Sequence, residues 1–228
     1  MNKLKVVSVD LFRTLVELES IEQVIWREVL GNQYTADLAK ECLSHIGNSL
    51  FDYLPSDKFL SLKSIFTLCF SEVFSRFNLD IDPSEAANTW AQHHPHSKPY
   101  TDSIPFLNSV GKRYLICLAS DADDEMLGGL KQIYTFDDIF TSERLCVYKS
   151  NGDGRFFNSI IDHYKVKPEE IIHIGDGRRE IIGANKVGII TCWLNRVDMK
   201  WLHEIKPDYE VKSLIEAASV LGVNIDSH

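Results

Sequence analysis

The run Val6-Val7-Ser8-Val9-Asp10-Leu11-Phe12-Arg13-Thr14-Leu15 decides the fold of this chain. Residues 4 to 9 alternate too little in polarity for a half-exposed strand and read as one buried on both faces. Asp10 then closes the strand with a carboxylate, which is poorly solvated there and needs a partner. In an open parallel sheet that partner sits in the crevice beyond the strand ends. The pattern recurs downstream, where Ile171-Ile172-His173-Ile174 runs into Gly175-Asp176. Two strands ending in acids point to a metal-assisted site.

Outward from that run, the chain has two rhythms. Residues 17 to 95 carry helical periodicity alone. Ser20 with Gln23 reads as a capping box for a helix ending at Gly31, and Thr35 as the cap of a second helix stopped by Gly47. Apolar residues from Phe59 to Phe77, at steps of three and four, form a third helix and this segment's own core, and Asp82-Pro83 opens a fourth. After His93-His94-Pro95-His96, helix and strand alternate. Ile104, Leu107 and Val110 suit a helix. Strands are expected at 114–119, 138–141, 171–175 and 189–194, with helices at 124–133, 156–164 and 179–187. This indicates an α/β fold with a parallel, doubly wound, Rossmann-like sheet. An all-α helical cap is inserted after its first strand. The expected boundaries are a core of residues 1–16 and 96–228 and a cap of residues 17–95. The histidine cluster reads as the hinge between them, since Pro95 breaks any metal-ligand spacing.

Composition narrows the class. A net charge of −9 without a dense Lys/Arg block disfavours nucleic-acid partners. No apolar run reaches the ~18 residues of a membrane span. The five cysteines include no CxxC pair and are expected as reduced thiols packed in the core. With no leader ahead of the first strand, a cytoplasmic monomer or homodimer is expected.

Because parallel strands end on one edge, Asp10, Ser120 and Asp176 can converge, and Lys149 can reach in from a loop. Such a set suits phosphoryl transfer to a carboxylate. Asp10 would attack phosphorus, and Mg²⁺ would bring Asp10 and Asp176 together. Ser120 would hold a phosphate oxygen, and Lys149 would neutralise its charge.

The order of these motifs resembles the haloacid dehalogenase (HAD) superfamily, of the type with a helical cap after the first strand. Asp10-Leu11-Phe12-Arg13-Thr14-Leu15 is similar to its first motif, DxDxT, and Leu118-Ala119-Ser120-Asp121-Ala122-Asp123 to its second, a strand ending in Ser or Thr. Lys149 is placed like the third-motif lysine, and His173-Ile174-Gly175-Asp176-Gly177-Arg178-Arg179-Glu180 resembles the fourth motif, GDxxxD or GDxxxE, followed by Gly183-Ala184. The tail from Pro207 to Leu214 looks like the family's last strand and helix. The resemblance implies Asp10 as nucleophile and Mg²⁺ ligand, the Phe12 carbonyl as a second ligand, and Asp176 as an outer one. Glu180 would bind the metal through water or hold its waters. Ser120 and Lys149 would bind phosphate, and Thr14 would steady the first loop.

Three departures from that pattern stand out. Phe12 replaces the aspartate that protonates the leaving group and activates water, a contribution of about 10²–10⁴-fold. Ser150-Asn151-Gly152-Asp153-Gly154 follows Lys149 with a flexible stretch in place of a proline and a shorter link. Arg178 and Arg179 read as solvated helix-end arginines. The expected activity is that of a Mg²⁺-dependent phosphatase of a small phosphorylated metabolite, slowed by Phe12. Its alternatives are a metal-independent 2-haloacid dehalogenase, which also carries an aromatic residue at this position, and a catalytically impaired binding or regulatory protein.

Overall fold

The computed structural model describes residues 3–53, 58–151 and 153–225. Gly152, within the glycine-rich stretch after Lys149, lies outside the described residues. Strand β1 (Val6–Val9) is buried along its whole length and is the centre of a parallel sheet. Its partners are β2 (Leu115–Ser120) on one side and β4 (Ile171–Gly175) on the other. With β3 (Asp138–Thr141), β5 (Ile190–Leu194) and β6 (Tyr209–Val211), the order is β3-β2-β1-β4-β5-β6. The chain therefore winds away from β1 in both directions. The crevice beyond β1, between β2 and β4, is the switch point where α/β proteins bind ligands.

Between β1 and β2 lie α1 (Glu19–Leu30), α2 (Ala36–Tyr53), α3 (Leu62–Phe77), α4 (Pro83–His93) and α5 (Ser103–Val110). Trp26, Phe66, Phe70, Phe74 and Trp90 pack together with ring centroids 5.2–6.0 Å apart in their closest pairs. This is the core anticipated for the phenylalanine stripe. It is continuous with apolar side chains from the sheet.

Several boundaries depart from their local signals. α1 starts at Glu19, so Ser20 lies inside the helix with its hydroxyl buried and unpartnered, and no side chain caps the end. Thr35 does accept the Leu38 N–H at 3.1 Å, but α2 runs through Gly47 to Tyr53. A helical glycine costs only about 1 kcal/mol, and Cys42 and Ile46 anchor the helix in the core. Phe59 precedes α3, which Ser61 caps, and instead packs on Tyr148. Asp82 caps α4 as expected.

The predicted helix at 124–133 is divided into a 3₁₀ turn, Asp124–Met126, and α6 (Gly128–Ile133). Gly128 lies so close to Pro95 that any Cβ would overlap it, so the crossing from the helices to the sheet interrupts this element. The short α7 (Ser142–Leu145) had no periodicity to announce it. The remaining helices are α8 (Arg155–Tyr164), α9 (Arg178–Lys186) and α10 (Leu214–Val220). Four cysteines are buried, but Cys146 is exposed, because it follows the surface turn α7 in a left-handed conformation (φ 51°). No helix among the described residues is long and apolar enough to cross a membrane.

Contacts on two sides fasten the helices to the sheet. The outgoing and returning crossings pair through a Val16–Pro99 bridge, with Glu17 N–H on Lys98 O (2.9 Å) and Tyr100 N–H on Leu15 O (3.1 Å). On the other side, the Asp123 carboxylate accepts the Leu62 and Lys63 N–H groups at the start of α3, both at 2.8 Å. Tyr148 donates to Leu60 O at 2.8 Å.

Candidate active site

Asp10 continues the β1 ladder by donating its N–H to Ile174 O at 2.9 Å, which presents its carboxylate at the sheet edge. Lys149 reaches it despite the glycine-rich stretch that follows. Its ammonium donates to Asp10 Oδ1 at 2.5 Å, to Ala119 O at 3.1 Å and to Glu180 Oε2. Lys149, Asp10 and Glu180 are all buried.

Glu180 stands in the first turn of α9, where a carboxylate complements the helix dipole. Its Oε1 accepts the Gly177 N–H at 2.8 Å. Its Oε2 faces His173 Nε2 at 3.2 Å as well as Lys149. Gly175 and Gly177 leave room for it, since a Cβ on Gly175 would collide with the carboxylate. His173 Nδ1 in turn meets Ser8 Oγ at 3.0 Å, directly across the β1–β4 register. Burial keeps this imidazole below the usual histidine range, against the pull of Glu180. A neutral ring with its proton on Nε2 satisfies both neighbours.

Asp176 completes an acidic cluster. One oxygen from each of Asp10, Asp176 and Glu180 lies within 4.8 Å of the others. The cluster is short of positive charge. Burial, together with Glu180, raises Asp176 to about 7, and burial likewise pushes Asp10 well up against the pull of Lys149. Burial opposes the Glu180 charge too, but Lys149 and His173 outweigh it and hold this carboxyl at about 2. Lys149 itself is pushed up, since Asp10, Glu180 and Asp121 overcome the burial that disfavours its charge.

Asp10, Phe12, Asp121, Lys149, Asp176 and Arg179 line a cavity of about 210 Å³ beyond the strand ends. The hydroxyls of Ser120 and Thr14 are buried and have no hydrogen-bond partner among the described residues. The Phe12 ring packs edge-on against His94, with centroids 4.9 Å apart. The histidine cluster itself diverges: His93 meets Glu28 at 2.8 Å, while buried His94 bonds Trp90 O at 2.7 Å. Arg178 bonds Lys200 O at 3.2 Å and lies over the Trp193 ring, whereas exposed Arg179 is at the cavity.

The structure thus brings Asp10, Lys149, Asp176 and Glu180 together and places Phe12 on the rim. Three further residues join the site: Ser8, His173 and Asp121. The Ser8–His173 pair needs the strand register to be seen. Asp121 carries a legible signal, an acid next to a buried strand end, although the sequence pattern singles out its neighbour Ser120.

A carboxylate cluster with one buried ammonium, at the switch point of a parallel sheet, defines a hydrolytic α/β protein of a recognisable kind. The chain belongs to the haloacid dehalogenase-like hydrolases, matching that family over residues 10–194. Among its relatives is the pyrimidine 5'-nucleotidase PynA of Streptococcus pneumoniae, 26% identical over 95% of this chain and 94% of that protein. Another is (S)-2-haloacid dehalogenase 4A of Burkholderia cepacia, 27% identical over 54% of each chain. Similar folds include YfnB, a HAD-hydrolase of Bacillus subtilis bound to magnesium, with a TM-score of 0.82, 19% identity and coverage of 96% and 99%. The L-2-haloacid dehalogenase of Xanthobacter autotrophicus with chloropropionic acid covalently bound has a TM-score of 0.80, 15% identity and coverage of 96% and 98%.

Proposed function

We propose that this hydrolase is a Mg²⁺-dependent phosphatase of a small phosphorylated metabolite, with Asp10 as nucleophile. The observation that carries this reading is Asp176 beside Asp10 and Glu180, three carboxylates compensated by a single buried ammonium. Clustered carboxylates resist ionisation, and a dication suits them because it takes hard oxygen ligands. The oxygen donor set and its charge deficit therefore fit Mg²⁺. Asp10 and Asp176, with the Phe12 carbonyl, would hold it, and Glu180 would act on its waters or on Lys149. When bound, Mg²⁺ would neutralise charge on Asp10 and on a phosphate oxygen.

The chain's own groups supply the rest. Lys149 orients Asp10 and offers positive charge to the transferring group, whose charge persists through the transition state. The buried Ser120 hydroxyl, without a hydrogen-bond partner among the described residues, would donate to a phosphate oxygen. Thr14 would steady the loop after β1. The helical segment of residues 17–95 would be a cap over the crevice, held by the Asp123 and Tyr148 contacts.

The pneumococcal relative makes pyrimidine nucleoside monophosphates the first esters to test. Phosphate release should require Mg²⁺ and vanish in Asp10→Asn. A broad ester panel yielding no phosphate would sink the proposal. A second reading, a metal-independent dehalogenase, is favoured by the aromatic Phe12 and by the Burkholderia relative. Halide release from 2-chloropropionate in the presence of a chelator would establish it instead.

A further inference from the structure

The proposed phosphatase lacks a proton carrier at Phe12, and the cavity provides another one. We infer that Asp121 is the general acid–base of this site, occupying from β2 the role that residue 12 cannot fill; the inference rests on the phosphatase reading. Asp121 directly follows Ser120, the last residue of β2, and lines the same cavity as Asp10, Phe12 and Asp176. Its Oδ1 accepts the Lys149 N–H at 2.9 Å, which fixes the carboxyl beside the lysine that orients Asp10. No other hydrogen bond to this carboxyl is formed among the described residues, so Oδ2 is available to the cavity.

The surroundings suit proton transfer near neutral pH. Burial raises Asp121 to about 6, against the pull of the Lys149 ammonium and N–H, with Glu180 adding to the rise. These groups face it from the loop after α7 and from α9, while Tyr148, Asp10, Asp176 and Arg179 complete the charged and titratable groups around it. A catalytic acid works best with a pKa near the operating pH.

The chemistry balances as two displacements. Asp10 attacks phosphorus, the ester P–O bond breaks, and protonated Asp121 gives its proton to the departing alkoxide. The Asp121 carboxylate then takes a proton from water as its oxygen attacks the aspartyl phosphate. The P–O bond to Asp10 breaks, phosphate leaves, and both carboxyls return to their starting states.

Asp121→Asn is a clean probe, because an amide oxygen can still accept the Lys149 N–H. With the full chain in Mg²⁺, we expect kcat on an alkyl phosphate to fall about 10²–10⁴-fold at little-changed KM. The limb of the pH profile near 6 should disappear. An aryl phosphate with a good leaving group should give a burst of phenol and slow phosphate release, as the aspartyl phosphate accumulates. Adding Phe12→Asp to Asp121→Asn should recover at least about tenfold of the lost rate, which a structural defect could not explain. Activity of Asp121→Asn within about threefold of wild type, a defect confined to KM, or no recovery in the double variant would each overturn the assignment. Absence of phosphate release from the wild type on every ester would overturn the phosphatase reading, and this role with it.

Discussion

Lys149→Met removes the one buried cation from between Asp10 and Glu180 while keeping most of the side-chain volume. The ammonium meets Asp10 Oδ1 at 2.5 Å, also contacts Glu180, and satisfies Ala119 O at 3.1 Å. At an effective dielectric of about 20, one such pair is worth about 4 kcal/mol of attraction at 4 Å before desolvation. Removing one partner of a buried pair strands the other charge and typically costs about 3–5 kcal/mol. For a chain of this size that corresponds to a fall in Tm of about 6–20 °C. The loss should depend on pH. Without the ammonium, the stranded carboxyls have folded pKa values above their unfolded ones, so the stability they confer is present at low pH and lost as pH rises. The deficit relative to wild type should therefore be larger at pH 8 than at pH 5.5. Mg²⁺ should reduce it at pH 8 by supplying charge to the same oxygens. Urea unfolding at both pH values, with and without Mg²⁺, measures all of this. A deficit below about 1 kcal/mol at pH 8, or one independent of pH, would refute the electrostatic account of the site.

Other outcomes follow from the same geometry. Wild-type protein in a chelator should lose stability between pH 5.5 and 8, because Asp176 at about 7 and Asp121 at about 6 are both raised on folding. The Glu180 contribution, whose folded pKa is depressed to about 2, is complete throughout that window; calorimetry across it gives the test. Mg²⁺ at about 100 times its Kd should restore about 2.7 kcal/mol at pH 8. Ser120→Ala should leave stability unchanged or raise it by up to about 1 kcal/mol, since it deletes an unpartnered buried hydroxyl, while weakening phosphate turnover. Asp123→Ala should cost about 1–3 kcal/mol and accelerate amide exchange at Leu62 and Lys63, whose N–H groups lose their acceptor.

The sheet was legible from sequence because β1 and β4 are buried on both faces, and an acid following such a run has few structural uses. The helical segment was legible as a class but not in its joints. α2 passes through Gly47 because neighbours outside the helix hold it in place. The 124–133 segment breaks because Pro95, far away in sequence, presses on Gly128. For the site, strand-end residues could be located in advance, but the reach of Lys149 could not. Its approach depends on Tyr148 bonding Leu60 and on Gly183 leaving space for the Lys149 carbonyl. The facing of Ser8 and His173 depends on the β1–β4 register, which no local pattern encodes. Asp121 was visible as an acid after a strand. Its meaning came only with the shared cavity and the Lys149 N–H.

The paired crossings at Val16 and Pro99 have a consequence for how this architecture changes. The chain leaves the sheet and returns to it through two hydrogen-bonded neighbours, tied further by Ser103 Oγ on Leu15 O and by Arg196 bridging Thr14 O and Asp102. To the sheet, everything between them is a hairpin loop, whatever its length. Changes in helix length that leave both ends of this stem paired leave the hydrogen bond of Asp10 N–H to Ile174 O in place. Any change between the crossings must therefore keep a second attachment, the Leu60–Tyr148 bond beside Lys149 and the Asp123 contacts at the start of α3.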